Sequence, residues 1–238
     1  MVLTVRERLD RIRERVAEAA HRCGRDPSEI CLVAAVKHIP VDRILEAVEA
    51  GVGVLGDNYV QEAQKLKPQI ALPVQWHMIG NLQSNKARQA VRLFDVIETV
   101  DREKIVGELQ RCAHEEGKRL DVMVQVDLAG EETKSGVAPD RTRRLLEVVA
   151  ACENLRCVGL MTMPPFFDDP EGARPYFSEL RRLRDRFQAL VPQGEDLKGL
   201  SMGMSGDFEV AVEEGATFVR IGTALFGPRK PGSLKGET

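Results

Sequence analysis

The chain has 238 residues, 43% of them hydrophobic and 30% charged, with a formal net charge of −3. That length suits one barrel-sized domain with a large core, which needs no disulfide or structural metal to fold. The weakly acidic balance, with both signs mixed as in Arg181-Arg182-Leu183-Arg184-Asp185, excludes the basic field that would draw nucleic acid or anionic lipid.

In chain order, an amphipathic helix is expected from about Val2 to Cys23, then a strand at Ile30–Val36 and a helix at Val41–Ala50. A second strand is expected at Val52–Leu55, followed by a helix from about Tyr59. Further strands are expected at Val74–Ile79, Phe94–Val100, Val122–Leu128, Val158–Met163, Gly199–Met202 and Phe218–Ile221. The clearest intervening helices are Asp101–Glu116, Pro139–Ala151 and Pro170–Leu190, with one more starting near Asp207. Most of the strands are continuously apolar, as parallel strands buried on both faces are. Eight βα units at this length predict a single (β/α)8 TIM barrel, an α/β fold with an extra N-terminal helix; a doubly wound open sheet shares the local alternation. One domain spans residues 1–238, with a polar tail after Pro228.

Several motifs are set aside. Gly51-Val52-Gly53-Val54-Leu55-Gly56 spells G-x-G-x-x-G, but it follows a helix and contains the strand, whereas dinucleotide binding needs the glycines after a strand and opening a helix. No acidic residue stands in Ala71–His77, where a ribose partner belongs. The four histidines, His21, His38, His77 and His114, show no metal spacing. Five scattered cysteines without a C-x-x-C pair fit reduced cytoplasmic thiols. No run reaches 18 apolar residues, and the N-terminus lacks a signal-peptide centre, so no membrane span or export is expected.

In a parallel barrel the site lies at the carboxyl ends of the strands, so the polar residue closing each apolar run is informative. The first run ends at Lys37, the second at Asp57-Asn58, the third at or just beyond His77 and the fifth at Asp127. The sixth gives Met161-Thr162, the seventh Ser201–Ser205 and the eighth Arg220–Thr223. Desolvation at such a rim disfavours the ammonium form of Lys37, and a neutral amine attacks aldehydes; the plainer alternative is a lysine snorkelling to water. Leu200–Asp207 runs through small residues and serines into a helix, and Val219–Thr223 ends on Gly222-Thr223. Loops after strands seven and eight are the habitual phosphate site of this fold, although ordinary capped turns would read alike. Together these residues suggest a phosphorylated aldehyde. Arg220 lies between apolar neighbours and needs an acceptor: either a barrel salt bridge to Asp127 or Glu98, or a ligand ring nitrogen. Met78, Met161, Met163, Met202 and Met204 read as core or pocket packing.

The sequence resembles the pyridoxal phosphate homeostasis family, with its alanine-racemase-like N-terminal domain. The resemblance is carried by Leu32–Lys37 with Pro40, Gly56–Glu62, Trp76–Lys86, Gly159–Met163, Leu200–Asp207 and Val219–Gly227, nearly the whole chain. It implies a fold-type III barrel with pyridoxal 5′-phosphate (PLP) as a Schiff base on Lys37. Asn58 is placed near the ring's 3′-oxygen and Arg220 at the pyridine nitrogen. Ser201, Ser205, Gly222 and Thr223 are placed on the phosphate, and His77 on the pocket wall. Asp57, Asn81, Gly206 and His38 depart from the family's usual residues, and Gly206 leaves helix capping to Asp207.

An arginine cannot readily protonate the ring, because its pKa lies above 12. The cofactor is then a weak electron sink. The racemases that this barrel resembles add a tyrosine base from an appended β-domain and a partner subunit, and the chain as read to Thr238 shows no such domain. The expected function is therefore cofactor homeostasis without catalysis: a monomeric, cytoplasmic carrier of PLP, with apo-enzymes as candidate recipients and no nucleic-acid or membrane partner. The alternatives are a PLP-dependent amino-acid racemase and a cofactor-free Schiff-base aldolase.

Overall fold

In the computed structural model, residues 3–130, 135–190 and 197–228 are described. The first helix opens on a capping box: Thr4 Oγ1 accepts from the Glu7 N–H at 3.2 Å, and Glu7 Oε2 accepts from the Thr4 N–H at 2.8 Å. Two donors that the helix cannot satisfy internally are thereby paired, and α1 runs Val5–Arg22. Its apolar residues Val5, Leu9, Ile12, Val16, Ala19 and Ala20 fall on one stripe and are all buried.

The strands are β1 (Cys31–Ala35), β2 (Val54–Asp57), β3 (Gln75–Met78), β4 (Val96–Val100), β5 (Leu120–Gln125), β6 (Leu155–Met161), β7 (Gly199–Met204) and β8 (Phe218–Ile221). Between and after them lie α2 (Val41–Glu49), α3 (Val60–Leu66), α4 (Ala87–Leu93), α5 (Glu103–Glu115), α6 (Pro139–Ala150), α7 (Arg174–Phe187), α8 (Phe208–Glu213) and α9 (Thr223–Phe226). Each strand pairs in parallel with the next, and β8 pairs with β1, closing an eight-stranded barrel. The closed form removes both sheet edges and sets aside the open sheet.

Alternation along the strands sorts side chains into two layers. Trp76 and Met78 join the large cluster between barrel and helices, so Gln75 and His77 point inward. Inside the barrel, Val33, Val54 and Ile79 form one apolar group and Val96, Met123 and Met161 another, with Phe218 packed against both. Helix α1 packs on α2, α8 and α9, and Arg25 Nη1 beyond its end donates to the carbonyls of Val212 (2.8 Å) and Ala216 (2.9 Å). The extra helix is thus tied into the seam where the last and first units meet.

The boundaries differ from expectation where local hydrogen bonds intervene. The second strand starts at Val54, not Val52, because the Val52 N–H bonds to the Ala47 carbonyl in the turn that ends α2. The fifth strand stops at Gln125 because Asp127 Oδ1 accepts from the N–H groups of Ala129 and Gly130, turning the chain. Pro170–Leu190 is not one helix: Asp169 caps a 3-10 turn over Pro170–Ala173 before α7 begins, and Gln188–Leu190 forms another. The short α4 and α9 were not anticipated, at seven and four residues too brief to show a full periodic stripe. Val2 and the tail after Pro228 lie outside the described residues.

If α1 is part of the core, Leu9→Ala, at a site only 1% exposed, lowers stability by about 2–5 kcal/mol. Urea unfolding followed by circular dichroism checks this, and an unchanged midpoint would make α1 a dispensable appendage.

Candidate small-molecule site at the carboxyl ends of the strands

A cavity of about 310 Å³ opens at the carboxyl ends of the strands. Ala35 and Lys37 line it at the end of β1, with Asn58 after β2 and Ile79 after β3. Met163, Pro165, Phe166 and Phe167 line it from the β6–α7 loop. Met204, Ser205, Gly206 and Asp207 follow β7, and Arg220, Gly222 and Thr223 end β8. The size fits a small ligand held by a few placed polar groups on an apolar wall.

Local rules set each polar member in place. Lys37 follows β1 and is half-buried, and the chain then reverses at His38, which holds the left-handed φ of 59°. That turn is anchored from α3. Glu62 Oε2 accepts from the His38 N–H at 3.1 Å, and Glu62 Oε1 lies 2.8 Å from His38 Nδ1. Asn58 sits where a Cβ on Gly80 would collide with its carbonyl, so only glycine lets the β3 loop approach it. On the other side, Gly203 takes a φ of 90° with Ala211 close against it, which folds the end of β7 over α8. The Ser205 hydroxyl then accepts from the N–H groups of Gly222 (3.3 Å) and Ala224 (3.2 Å), clipping together the loops after β7 and β8.

Six of the eight predicted site residues, Lys37, Asn58, Ser205, Arg220, Gly222 and Thr223, come together on this wall. The other two do not, which corrects the expectation for each. Ser201 is fully buried one layer deeper, where its hydroxyl donates to Glu98 Oε2 at 2.6 Å and accepts from Arg220 Nη1 at 2.6 Å. His77 is 1% exposed inside the barrel, with Nδ1 2.6 Å from Glu98 Oε1. It lines a separate chamber of about 580 Å³ at the amino ends of the strands, while Ile79, two residues on and just past β3, reaches the upper cavity. The barrel stagger explains both. Ser201 is level with Phe218 at the start of β8, and His77 with Val96 at the start of β4.

Asp207 is the first residue before α8, but its carboxyl bonds back to the Met204 N–H at 2.6 Å and makes no helix-cap bond. The capping role expected of it is corrected accordingly. Burial raises its pKa, with the Met204 bond opposing, which softens its repulsion of an anion. Asp127 shapes its own loop and does not line the cavity. Among the described residues, no cluster of three or more metal-ligating side chains occurs, and no helix is long and apolar enough to cross a membrane.

The sequence reading missed the apolar wall Pro165-Phe166-Phe167, although two aromatics straight after the sixth strand were a usable signal. It treated Glu98 only as a salt-bridge partner for Arg220, although a carboxylate inside the apolar run Val96-Ile97-Glu98-Thr99-Val100 marked an interior polar network. It also passed over the state of Asp57. This carboxyl is fully buried, with Oδ1 accepting from the Tyr59 N–H at 3.0 Å and Oδ2 unpartnered. Burial pushes its pKa up to about 7 against the Tyr59 bond, with Glu62 adding to the rise.

Comparison with known proteins finds a match to the family model of the alanine racemase N-terminal domain over residues 8–230. A protein of Aquifex aeolicus named pyridoxal phosphate homeostasis protein is 44% identical over 225 residues, covering 94% of this chain and 98% of that one. A Vibrio cholerae protein of the same name is 40% identical over 233 residues, covering 95% and 97%. Among solved structures, PipY of Synechococcus elongatus with PLP bound superposes with a TM-score of 0.83 at 34% identity, covering 94% of this chain and all of that one.

The folded protein keeps the Asp57 proton up to about pH 7, whereas the unfolded chain loses it near 3.8. The stability that this group contributes is full below the unfolded value and is lost as pH rises through the folded one, at about 1.4 kcal/mol per pH unit between them. Asp57→Asn should therefore gain on the wild type in urea unfolding between about pH 4 and pH 7, and parallel pH profiles would refute a protonated buried carboxyl.

Proposed function

The chain belongs to the alanine racemase N-terminal-domain family, and from that premise we propose that it is a PLP-binding homeostasis protein that holds the cofactor covalently on Lys37 and does no catalysis of its own. The single observation that carries this reading is the make-up of the cavity wall. An amine, Lys37, lines the same cavity as Ser205, Gly222, Thr223 and the Arg220 guanidinium, the last three carried by the strand paired with its own.

These residues fit the group. PLP supplies an aldehyde for an amine, a phosphate dianion and a pyridine ring. Gly222 and Thr223, in a loop that Ser205 clips through the Gly222 and Ala224 N–H groups, suit the phosphate through backbone and hydroxyl donors at the start of a helical turn. Arg220 has five N–H donors and commits one Nη1 bond to Ser201 and one Nη2 bond to the Thr162 carbonyl at 2.8 Å. Further donors remain to meet the ring nitrogen without giving up a proton. Asn58 suits the ring's 3′-oxygen, and Phe166 and Phe167 complete an apolar wall beside the ring.

Racemising an amino acid by the two-base route needs an acid–base group facing the lysine across the α-carbon. Among the described residues, Lys37 is the amine on this wall and Asp207 the carboxyl, the latter tied to the Met204 N–H; no tyrosine, histidine or cysteine lines it. That set supports reversible capture and release, with apo-enzymes as the proposed recipients. Five cysteines standing as thiols support a cytoplasmic setting.

The purified chain should take up PLP with a visible absorbance band, and borohydride should fix the cofactor to the peptide carrying Lys37. Lys37→Ala should lose both while its circular dichroism stays wild type. Label retained in that variant, or found on another lysine, would overturn the assignment. Loaded protein should also restore activity to an apo PLP enzyme faster than Lys37→Ala mixed with the same cofactor.

A further inference from the structure

Glu98 lies on β4 in the barrel interior, with none of its surface exposed. An ionised carboxyl there costs several kcal/mol unless its oxygens are bonded, and both are. His77 Nδ1 sits at 2.6 Å from Oε1, and Ser201 Oγ donates to Oε2 at 2.6 Å. Burial opposes ionisation, but the bond and charge of His77, the charge of Arg220 and the Ser201 hydroxyl hold Glu98 below the ordinary carboxylate value.

The chain of donors has a fixed direction. Arg220 Nη1 donates to Ser201 Oγ; a hydroxyl has one proton, so that of Ser201 points to Glu98. Arg220 is 4% exposed, and burial works against its charge while Glu98 and Asp207 favour it. Its Nη2 is held by the Thr162 carbonyl. The plane of the guanidinium is therefore set from beneath, by groups that do not reach the cavity wall.

We propose that Glu98 is a positioning residue for the cofactor: through Ser201 it locks the Arg220 guanidinium, charged and in one orientation, against the ring of bound PLP. This rests on the PLP reading above and goes beyond it, because it assigns control of the ring's environment to a carboxylate that never touches the ligand. Removing the charge takes away the anion that most favours the charged form of Arg220 and lets it turn. Removing the Ser201 hydroxyl breaks the relay and keeps the charge.

The test uses full-length Glu98→Gln and Ser201→Ala, each titrated with PLP, with the visible band recorded. Each should weaken PLP binding about tenfold and move the absorbance maximum, whereas a purely structural role would leave the band of the bound fraction in place. Combined with Arg220→Lys, Glu98→Gln should add little to the loss from Arg220→Lys alone, as expected for residues acting as a unit. Wild-type affinity and band in Ser201→Ala, or losses that multiply in the double variant, would overturn the proposal. Ser201→Ala also decides the matter if Glu98→Gln fails to fold. A wild type that takes up no PLP would sink the functional reading and this inference together; normal wild-type loading with unchanged variants sinks the inference alone.

Discussion

The pairing of β1 with β8 is the constraint on which the site depends. In that register Leu32 lies opposite Val219, Val33 opposite Arg220 and Ala34 opposite Ile221. Residues nearly two hundred positions apart thus leave the barrel side by side, with Lys37 emerging next to Gly222 and Thr223. An open sheet would leave these strands on different edges, and the amine and the anion donors would not share a cavity. The Ser205 hydroxyl extends the junction by holding two N–H groups of the β8 loop. Helix α1 braces it from outside through Arg15 to Glu209 and Arg22 to Glu213.

Beneath the cavity the barrel is not uniformly apolar. His77, Glu98, Ser201 and Arg220 come from β3, β4, β7 and β8 and form one hydrogen-bonded chain through the interior. Within a low-dielectric core such a chain is favourable only when its members are mutually satisfied. The exception among them is His77 Nε2, buried without a partner. Carbon side chains would fill the same volume at less electrostatic expense, so the network points to orientation of Arg220 as its role. Asp57 and Glu62 act similarly on the other side, shaping the turns around Asn58 and His38.

Much of this was legible in the sequence because the governing rules are local. A lysine ending an apolar run, a Gly- and Ser-rich exit from the seventh strand and a Gly-Thr exit from the eighth are each readable from a few neighbours, and so is the βα alternation. Depth along the barrel axis was not. Ser201 and Ser205 lie in one short segment, yet one bonds inside the barrel and the other clips the rim, because the β7–β8 register shifts between Ser201 and Met204. His77 was misplaced for the same reason, since the stagger that sinks it a layer below Ile79 is a property of the closed sheet. The φ of 59° at His38 and the raised pKa of Asp57 depend on α3 and on burial, which no short motif encodes.

The central claim is that the junction of the first and last strands holds PLP between Lys37 and the β7 and β8 loops. A crystal structure of the loaded protein tests it most directly. Continuous density should run from Lys37 Nζ to the ring, with the phosphate against the N–H groups around Gly222 and Thr223. Cofactor density confined to the amino-end chamber beside His77, or broken from Lys37 with the phosphate away from those loops, would contradict the account.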